Sequence, residues 1–258
     1  MLLYFSINGI AQNISISYEL TSKTDSLKTQ HYILDVISAK SIFRTQHRKK
    51  SDSLLINTGF GLGYNANPNY ELYLTKELNH TIFKKHFVSP ISRDKFFIKI
   101  EENLKWKISS ETKVIAGFNC QKAETEYGKR HWIAWFAKNI SVPEGPYYFH
   151  GLPGLIIQIQ DSDGDFIFKA VEIKDLKNNS IYEMEDGKEI TWNQHEKLLQ
   201  DFFNDPYLSL KARGMKAYTD NESGGYKEIN YRERTKKMQT MLLKNNNPIE
   251  LNHKIDYK

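Results

Sequence analysis

Covalent hydrolysis needs an activated nucleophile, and the sequence offers one thiol, Cys120. A cysteine nucleophile works as a thiolate paired with a histidine and an orienting acid or amide. His131 and His150 lie in the same stretch of sequence. Cys120, however, falls in a strand-like alternation with no helix amino terminus to lower its pKa, so it reads first as a small buried apolar group. Serine chemistry lacks its Gly-x-Ser-x-Gly turn. Metal chemistry lacks His-Glu-x-x-His or any close pair of histidines on one face, the eight histidines being scattered. A lone cysteine also rules out an intramolecular disulfide and a CxxC zinc site. The sequence therefore assigns no catalytic or metal-binding residue and predicts no cofactor.

Four other clusters invite chemistry. Glu101, Glu102, Glu124 and Glu126 could pair as glycosidase carboxylates, but on a strand Glu124 and Glu126 share a face that usually meets solvent. Asp161-Ser162-Asp163-Gly164-Asp165 suggests a calcium loop, yet its glycine stands at position four where an EF-hand requires it at six. A tight turn between strands Leu155 to Gln160 and Phe166 to Ile173 accounts for it better. Gly59-Phe60-Gly61-Leu62-Gly63 has the wrong spacing for a dinucleotide loop and no helix after it, and reads as a flexible or bulged connection. The run Arg44, His47, Arg48, Lys49 and Lys50 reads as a solvated hairpin end. With 36 basic against 31 acidic residues, a scattered excess of +5, no nucleic-acid partner is expected.

The elements that would position these residues are mainly strands. Ile14, Ile16, Tyr18 and Leu20 alternate with Ser15, Ser17 and Glu19, and similar alternation recurs in Tyr32, Leu34, Val36, in Tyr70, Leu72, Leu74 and in Phe96, Ile98, Ile100. Period two puts one set on a core and the other in water. Turn-rich gaps such as Asn65 to Asn69 separate the runs, which suits antiparallel sheet. Helical signals come late. Thr191 and Gln194 stand in capping-box relation ahead of Leu198, Leu199, Phe202 and Phe203, and Pro206 ends the element. A second helix begins near Tyr231, with Met238, Met241 and Leu242 on one face, and ends at Asn245 to Pro248. The expected fold is mainly β, a β-rich α+β architecture: a curved antiparallel sheet or half-barrel with these two helices of the carboxy-terminal half packed on it.

Between Trp106 and Ile173 the chain is dense in aromatics, glycine and proline: Trp106-Lys107-Ile108, Gly117 to Ala123, Gly128-Lys129-Arg130, Ala134-Trp135-Phe136, Gly145-Pro146, then Phe149-His150-Gly151-Leu152-Pro153-Gly154-Leu155-Ile156. This block strongly resembles the GLPGLI family of exported bacterial proteins, whose six-residue signature stands here intact as Gly151 to Ile156. The resemblance is firm over about residues 100 to 175 and looser for the opening strand and the closing Asn-Pro-Ile-Glu-Leu. It implies export from a Gram-negative-type cell and a single domain, but no established activity. This chain departs from the family in reading Gly128-Lys129-Arg130 where members often read Gly-Arg, and in its short amino-terminal signal.

Read from the residues alone, Gly-Leu-Pro-Gly is a sharp bend, because both glycines tolerate positive φ while Pro153 fixes its own φ and holds Leu152 extended. The bend either shapes the fold or presents an aromatic ligand site made of Trp132, Trp135, Phe136, Tyr147, Tyr148, Phe149 and His150 beside Gly151, Leu152, Pro153 and Gly154. Residues 1–11 are expected to be a signal peptide with a start placed too far downstream, since Leu2 to Ile10 are largely apolar and Gly9 and Ala11 stand at the cleavage positions before Gln12. Such a run is too short to cross a bilayer. Residues 12–258 then form one domain, in the periplasm or on the outer surface. Its expected role is a noncatalytic binding or accessory module for an apolar small molecule, lipid or peptide; the alternative is a periplasmic hydrolase acting on peptide or glycan.

Overall fold

The computed structural model describes residues 13–23, 27–62, 71–78, 82–101, 103–176, 187–220 and 224–258. The apolar amino-terminal run with its cleavage position, Gly63, Asn65 to Asn69, Tyr70 and Glu102 lie outside them. The strands are β1 (Ile14–Lys23), β2 (Leu27–Ile37), β3 (Lys40–Thr45), β4 (Tyr73–Glu77), β5 (Phe83–Val88), β6 (Lys95–Ile100), β7 (Lys107–Ile115), β8 (Phe118–Tyr127), β9 (Arg130–Ala137), β10 (Leu155–Asp161), β11 (Phe166–Asp175), β12 (Lys188–Glu189), β13 (Tyr218–Asp220) and β14 (Tyr226–Glu228). The helices are α1 (Gln46–Thr58), α2 (Trp192–Asn204), α3 (Leu208–Ala212) and α4 (Tyr231–Lys244).

The fold is mostly β. Twelve strands form one open, curved sheet in the order β12-β6-β5-β4-β3-β2-β1-β11-β10-β9-β8-β7, while β13 and β14 make a separate hairpin. All the sheet pairings are antiparallel except β12 with β6. The alternation read from the sequence sets the faces: Ile14, Ile16, Tyr18 and Leu20 are at most 2% exposed, and their neighbours on β2 and β3, Tyr32, Leu34 and Phe43, are equally buried. This core face is large and aromatic, with Phe43 stacked on Tyr32 and edge-on to Phe168.

The opposite face is also covered in part, by an element the sequence reading did not anticipate. Helix α1 starts at Thr45, whose hydroxyl accepts from the Arg48 amide, and ends at Gly59 with φ +77. The basic run is thus not a solvated hairpin end. Arg44 and Arg48 are 1% and 3% exposed, because Asp52 of α1 bonds Arg44 at 2.8 Å and Arg48 at 3.2 Å, while Asp35 of β2 takes Arg44 at 3.3 Å and Lys49 at 2.8 Å. The weak apolar periodicity of α1 hid it. Its inward face is Arg48, Ser51 and Asp52, and two buried charges of opposite sign beside a serine leave little hydrophobic signal.

The two late helices cover only one end of the core face. Leu199 of α2 packs with Phe87, Ile98 and Ile255, while Phe202, Phe203 and Leu242 join α2 to α4 in an adjoining cluster. The centre of the face is filled instead by the β9–β10 connection, residues 138–154, and by a carboxy-terminal strap, residues 245–258. The predicted capping box of Thr191 and Gln194 is present, as is the hairpin joining β10 to β11, where Gly164 takes φ +68. Among the described residues no helix is long and apolar enough to cross a membrane.

Candidate functional site

The β9–β10 connection is built around the two glycines of its bend. Gly151, at φ +88, donates its amide to the Pro143 carbonyl at 2.9 Å, so the bend closes a loop that contains Gly145 and the aromatics. Gly154, at φ +147, presses its backbone onto strand β9: a Cβ there would stand 2.3 Å from the Ala137 carbonyl oxygen. Leu152 between them is 1% exposed, and Trp106 donates its indole N–H to the His150 carbonyl at 2.8 Å. The signature therefore returns the chain from the core face to β10 at van der Waals distance from β9.

Folded this way, the connection turns its aromatics inward. Tyr148 and Phe149 are fully buried, as are Trp132 and Phe136 on β9, and Tyr147 is 2% exposed. Tyr148 stacks on Tyr127 at 4.7 Å, and Phe149 packs on Trp132 at 4.5 Å. Strand alternation separates Trp135 from this group. It sits opposite Lys122 and Gln158 on the other face, with the Lys113 ammonium 4.0 Å from its ring centre. His150 lies against Phe83 and Tyr148, and burial, helped by Lys76, lowers its pKa to about 4. Gly151 and Pro153 are exposed. Trp132, Phe136, Tyr147, Tyr148 and Phe149 thus meet as a plug in the core rather than around an open mouth, with Trp135, Gly151 and Pro153 outside it.

The plug carries one buried ionic cluster. Tyr147, a non-glycine residue at φ +55, donates its hydroxyl to Glu250 of the strap. Tyr127 donates to the same carboxylate at 2.9 Å, and Lys85 donates to Glu250 at 2.9 Å and to the Tyr147 oxygen at 2.8 Å. Burial would raise the Glu250 carboxyl, but the Lys85 charge and the hydrogen bonds from Tyr147, Lys85 and Tyr127 outweigh it and hold its pKa below the usual value. Burial next to Glu250 pushes the Tyr147 phenol far up. A second clamp holds the strap beside it. Buried Arg130 bonds Asp161 at 2.7 Å and Asp165 at 3.2 Å, and reaches Asn247 and the carbonyls of Pro248 and Ile249. Gly128 comes so close that a Cβ would lie 2.7 Å from the Ile249 oxygen, and its own carbonyl accepts from the Leu251 amide. Gly128, Arg130, the bend and the closing Asn-Pro-Ile-Glu segment are therefore parts of one junction. Sequence reasoning gave Arg130 and Glu250 no role, although each sits within a segment quoted for the resemblance.

The hydrolytic options do not assemble. Cys120 is fully buried and burial raises its thiol pKa. It pairs with Ala137, six residues along β9 from His131, which is about 20 Å at strand rise. His131 bonds Glu126 at 2.7 Å on an exposed surface. Glu71 borders the same small cavity as Glu250, and its charged neighbours are Arg48, His47 and Asp52 of α1. That cavity, between α2, the strap and strands β4 to β6, measures about 40 Å³, room for a few waters. Among the described residues no group of histidine, cysteine and acidic side chains could hold a metal ion.

A cleft of ligand size lies elsewhere. It measures about 390 Å³ and opens between the β5–β6 turn and helices α2, α3 and α4. Phe202, Leu210, Met238 and Ile91 give it an apolar lining, with Tyr207 and Arg213 beside them. Pro206, at the break between α2 and α3, is part of its wall.

No protein-family model matches the chain, and no curated protein matches it. Among solved structures, PNGF-II in two crystal forms gives TM-scores of 0.53 and 0.51 at 16% identity, over 73% of this chain and 33% of PNGF-II. The matched region is thus about a third of PNGF-II. A LolA superfamily protein from Nitrosomonas europaea aligns at a TM-score of 0.31 and 7% identity, over 68% of this chain and 92% of that one. At these identities the likeness to PNGF-II is one of fold.

Proposed function

We propose that the chain is a noncatalytic binding module of the bacterial envelope, of the GLPGLI type, exported to the periplasm or outer surface, and that it holds a small apolar ligand bearing an acidic head. The observation that carries this reading is the cleft of about 390 Å³, whose volume falls in the range of small-molecule sites and whose lining joins four apolar side chains to Tyr207 and Arg213. Support also comes from chemistry: Cys120 is sealed, and the buried charges of the plug and strap, Lys85 with Glu250 and Arg130 with Asp161, are committed to one another. The GLPGLI bend then serves the fold, and the ligand lies beside the helices rather than among the plug aromatics.

The test is titration with an environment-sensitive apolar dye, followed by displacement with a medium-chain fatty acid. Wild type binds the dye and releases it to the acid. Met238→Trp, which fills the cleft, removes binding while circular dichroism stays native, and Arg213→Gln weakens the acid more than the dye. Absence of dye binding by wild type, or binding untouched by Met238→Trp, would sink the proposal. Export has its own check: intact mass of protein from the native cell should begin at or within a residue or two of Gln12.

A further inference from the structure

The net charge of the chain is not scattered as the sequence reading held. Residues 206–244 contain nine Lys and Arg against four Asp and Glu, an excess of five, and the whole chain carries +5. Everything outside this segment is therefore neutral on balance. The segment comprises α3, the β13–β14 hairpin and α4, and the structure gathers it into one outcrop. Tyr207 packs on Tyr231 at 4.9 Å, the Tyr231 hydroxyl donates to the Met215 carbonyl at 2.7 Å, and Ile229 donates its amide to Ala217. Lys211 lies over the Tyr231 ring, and Lys227 is near enough to Glu233 to help lower its pKa.

All nine cations are exposed. Lys211, Lys216 and Lys237 pair with Asp205, Glu228 and Glu233, whereas Arg213, Lys227, Arg232, Arg234 and Lys236 form no contact ion pair among the described residues. Helix α4 turns Met238 and Leu242 inward, so Arg232, Lys236 and Leu243 share its solvent side. The same outcrop holds five exposed large apolar side chains: Leu208, Met215, Tyr218, Tyr226 and Leu243, at 51% to 79% exposure. On the hairpin, Tyr218 and Tyr226 share a face, since Tyr218 pairs with Glu228 and Tyr226 with Asp220.

From this we infer that the α3–hairpin–α4 outcrop docks on an anionic lipid surface, its cations meeting phosphate headgroups while Tyr218, Tyr226 and Met215 enter the interface. Positive charge alone would suit any polyanion. The exposed tyrosines, methionine and leucines select a partner with an apolar interior beneath a charged skin, which a nucleic acid or an acidic protein surface does not offer. Tyrosine in particular places an apolar ring and a polar tip at such a boundary. The docking rests on charge and exposure, and stands whether or not the neighbouring cleft binds a ligand.

The experiment is cosedimentation with vesicles of phosphatidylcholine alone and of phosphatidylcholine with phosphatidylglycerol, at low and high salt, with a mixed-sequence DNA duplex as competitor. Wild type should bind the anionic vesicles at least about tenfold more tightly than the neutral ones and lose that preference in high salt. The pair Arg232→Glu and Lys236→Glu should abolish binding, and Tyr226→Trp should bind with a blue-shifted emission that neutral vesicles do not produce. Thermal unfolding of each variant confirms its fold, and Lys138→Glu, a charge change at an exposed residue outside both the segment and the cleft lining, should bind as wild type does. Equal binding to both vesicle types, full competition by DNA at equal charge, or bound Tyr226→Trp without a blue shift would each overturn the inference.

Discussion

At the residue scale the structure assigns stability roles to side chains that sequence chemistry had passed over. Arg130 is the plainest case. Its removal leaves Asp161, which is 1% exposed, without its cation, and frees the strap from three of its anchors. Arg130→Ala should cost about 3 kcal/mol or more in denaturant unfolding. It should also speed amide exchange over residues 246–251 beyond that global loss; equal acceleration everywhere would deny the latch. Cys120 gives the opposite expectation. Cys120→Ser should lower stability by only about 1 kcal/mol and leave any dye binding intact, and native-state thiol labelling should be slow. Rapid labelling coupled to lost binding would restore the thiol as a site.

Among elements, the Gly151–Ile156 turn lets geometry separate two glycines that look alike in sequence. Both have positive φ, but an added Cβ meets nothing within 4 Å at Gly151 and meets the backbone of Ala137 at Gly154. Gly151→Ala should therefore cost only about 1 kcal/mol of backbone strain. Gly154→Ala should cost several times as much in thermal or denaturant unfolding, since β9 and β10 must part to admit the methyl group. Equal costs would show that the close approach of the bend to β9 is not what the second glycine secures. Helix α2 rests on local chemistry as well: its capping box predicts a loss of about 1 kcal/mol for Thr191→Ala.

For the whole molecule, packing partly buries two histidines whose pH behaviour has a definite sign. Burial, with Lys85 beside it, lowers the pKa of His195 to about 3, and His150 is lowered to about 4. In the unfolded chain both titrate near 6.5. Between those values the unfolded state binds more protons than the folded one, so both residues favour unfolding as pH falls below about 6.5, down to their folded pKa values. His195→Phe should thus gain on wild type steadily from pH 7 to pH 4, as measured by urea midpoints. A constant difference between the two proteins over that range would show that His195 is not buried in its neutral form.

What the sequence determined is what depends on neighbours in the chain. Period-two alternation of Ile14, Ile16, Tyr18 and Leu20, the Asp-Gly turn at Asp163-Gly164, the capping box at Thr191 and the methionine stripe of α4 all follow from local geometry, and all are present. Alternation also contained the separation of Trp135 from Trp132 and Phe136, since an odd offset along a strand reverses the face. Only the tertiary structure decided the rest. Helix α1 escaped because its inner face is made of Arg48, Ser51 and Asp52, polar groups that become core residues only when β3 supplies Arg44 and β2 supplies Asp35 against them. The aromatic block looked like a lining because its sealing partner, Glu250, lies 103 residues from Tyr147. The positive excess in residues 206–244 stood in the sequence and was passed over; what the fold added is its gathering with exposed tyrosines onto one outcrop of α3, the hairpin and α4. Local propensity reports which face of an element is apolar, whereas burial of charge and closure of a cavity depend on contacts between distant segments, and those exist only in the assembled fold.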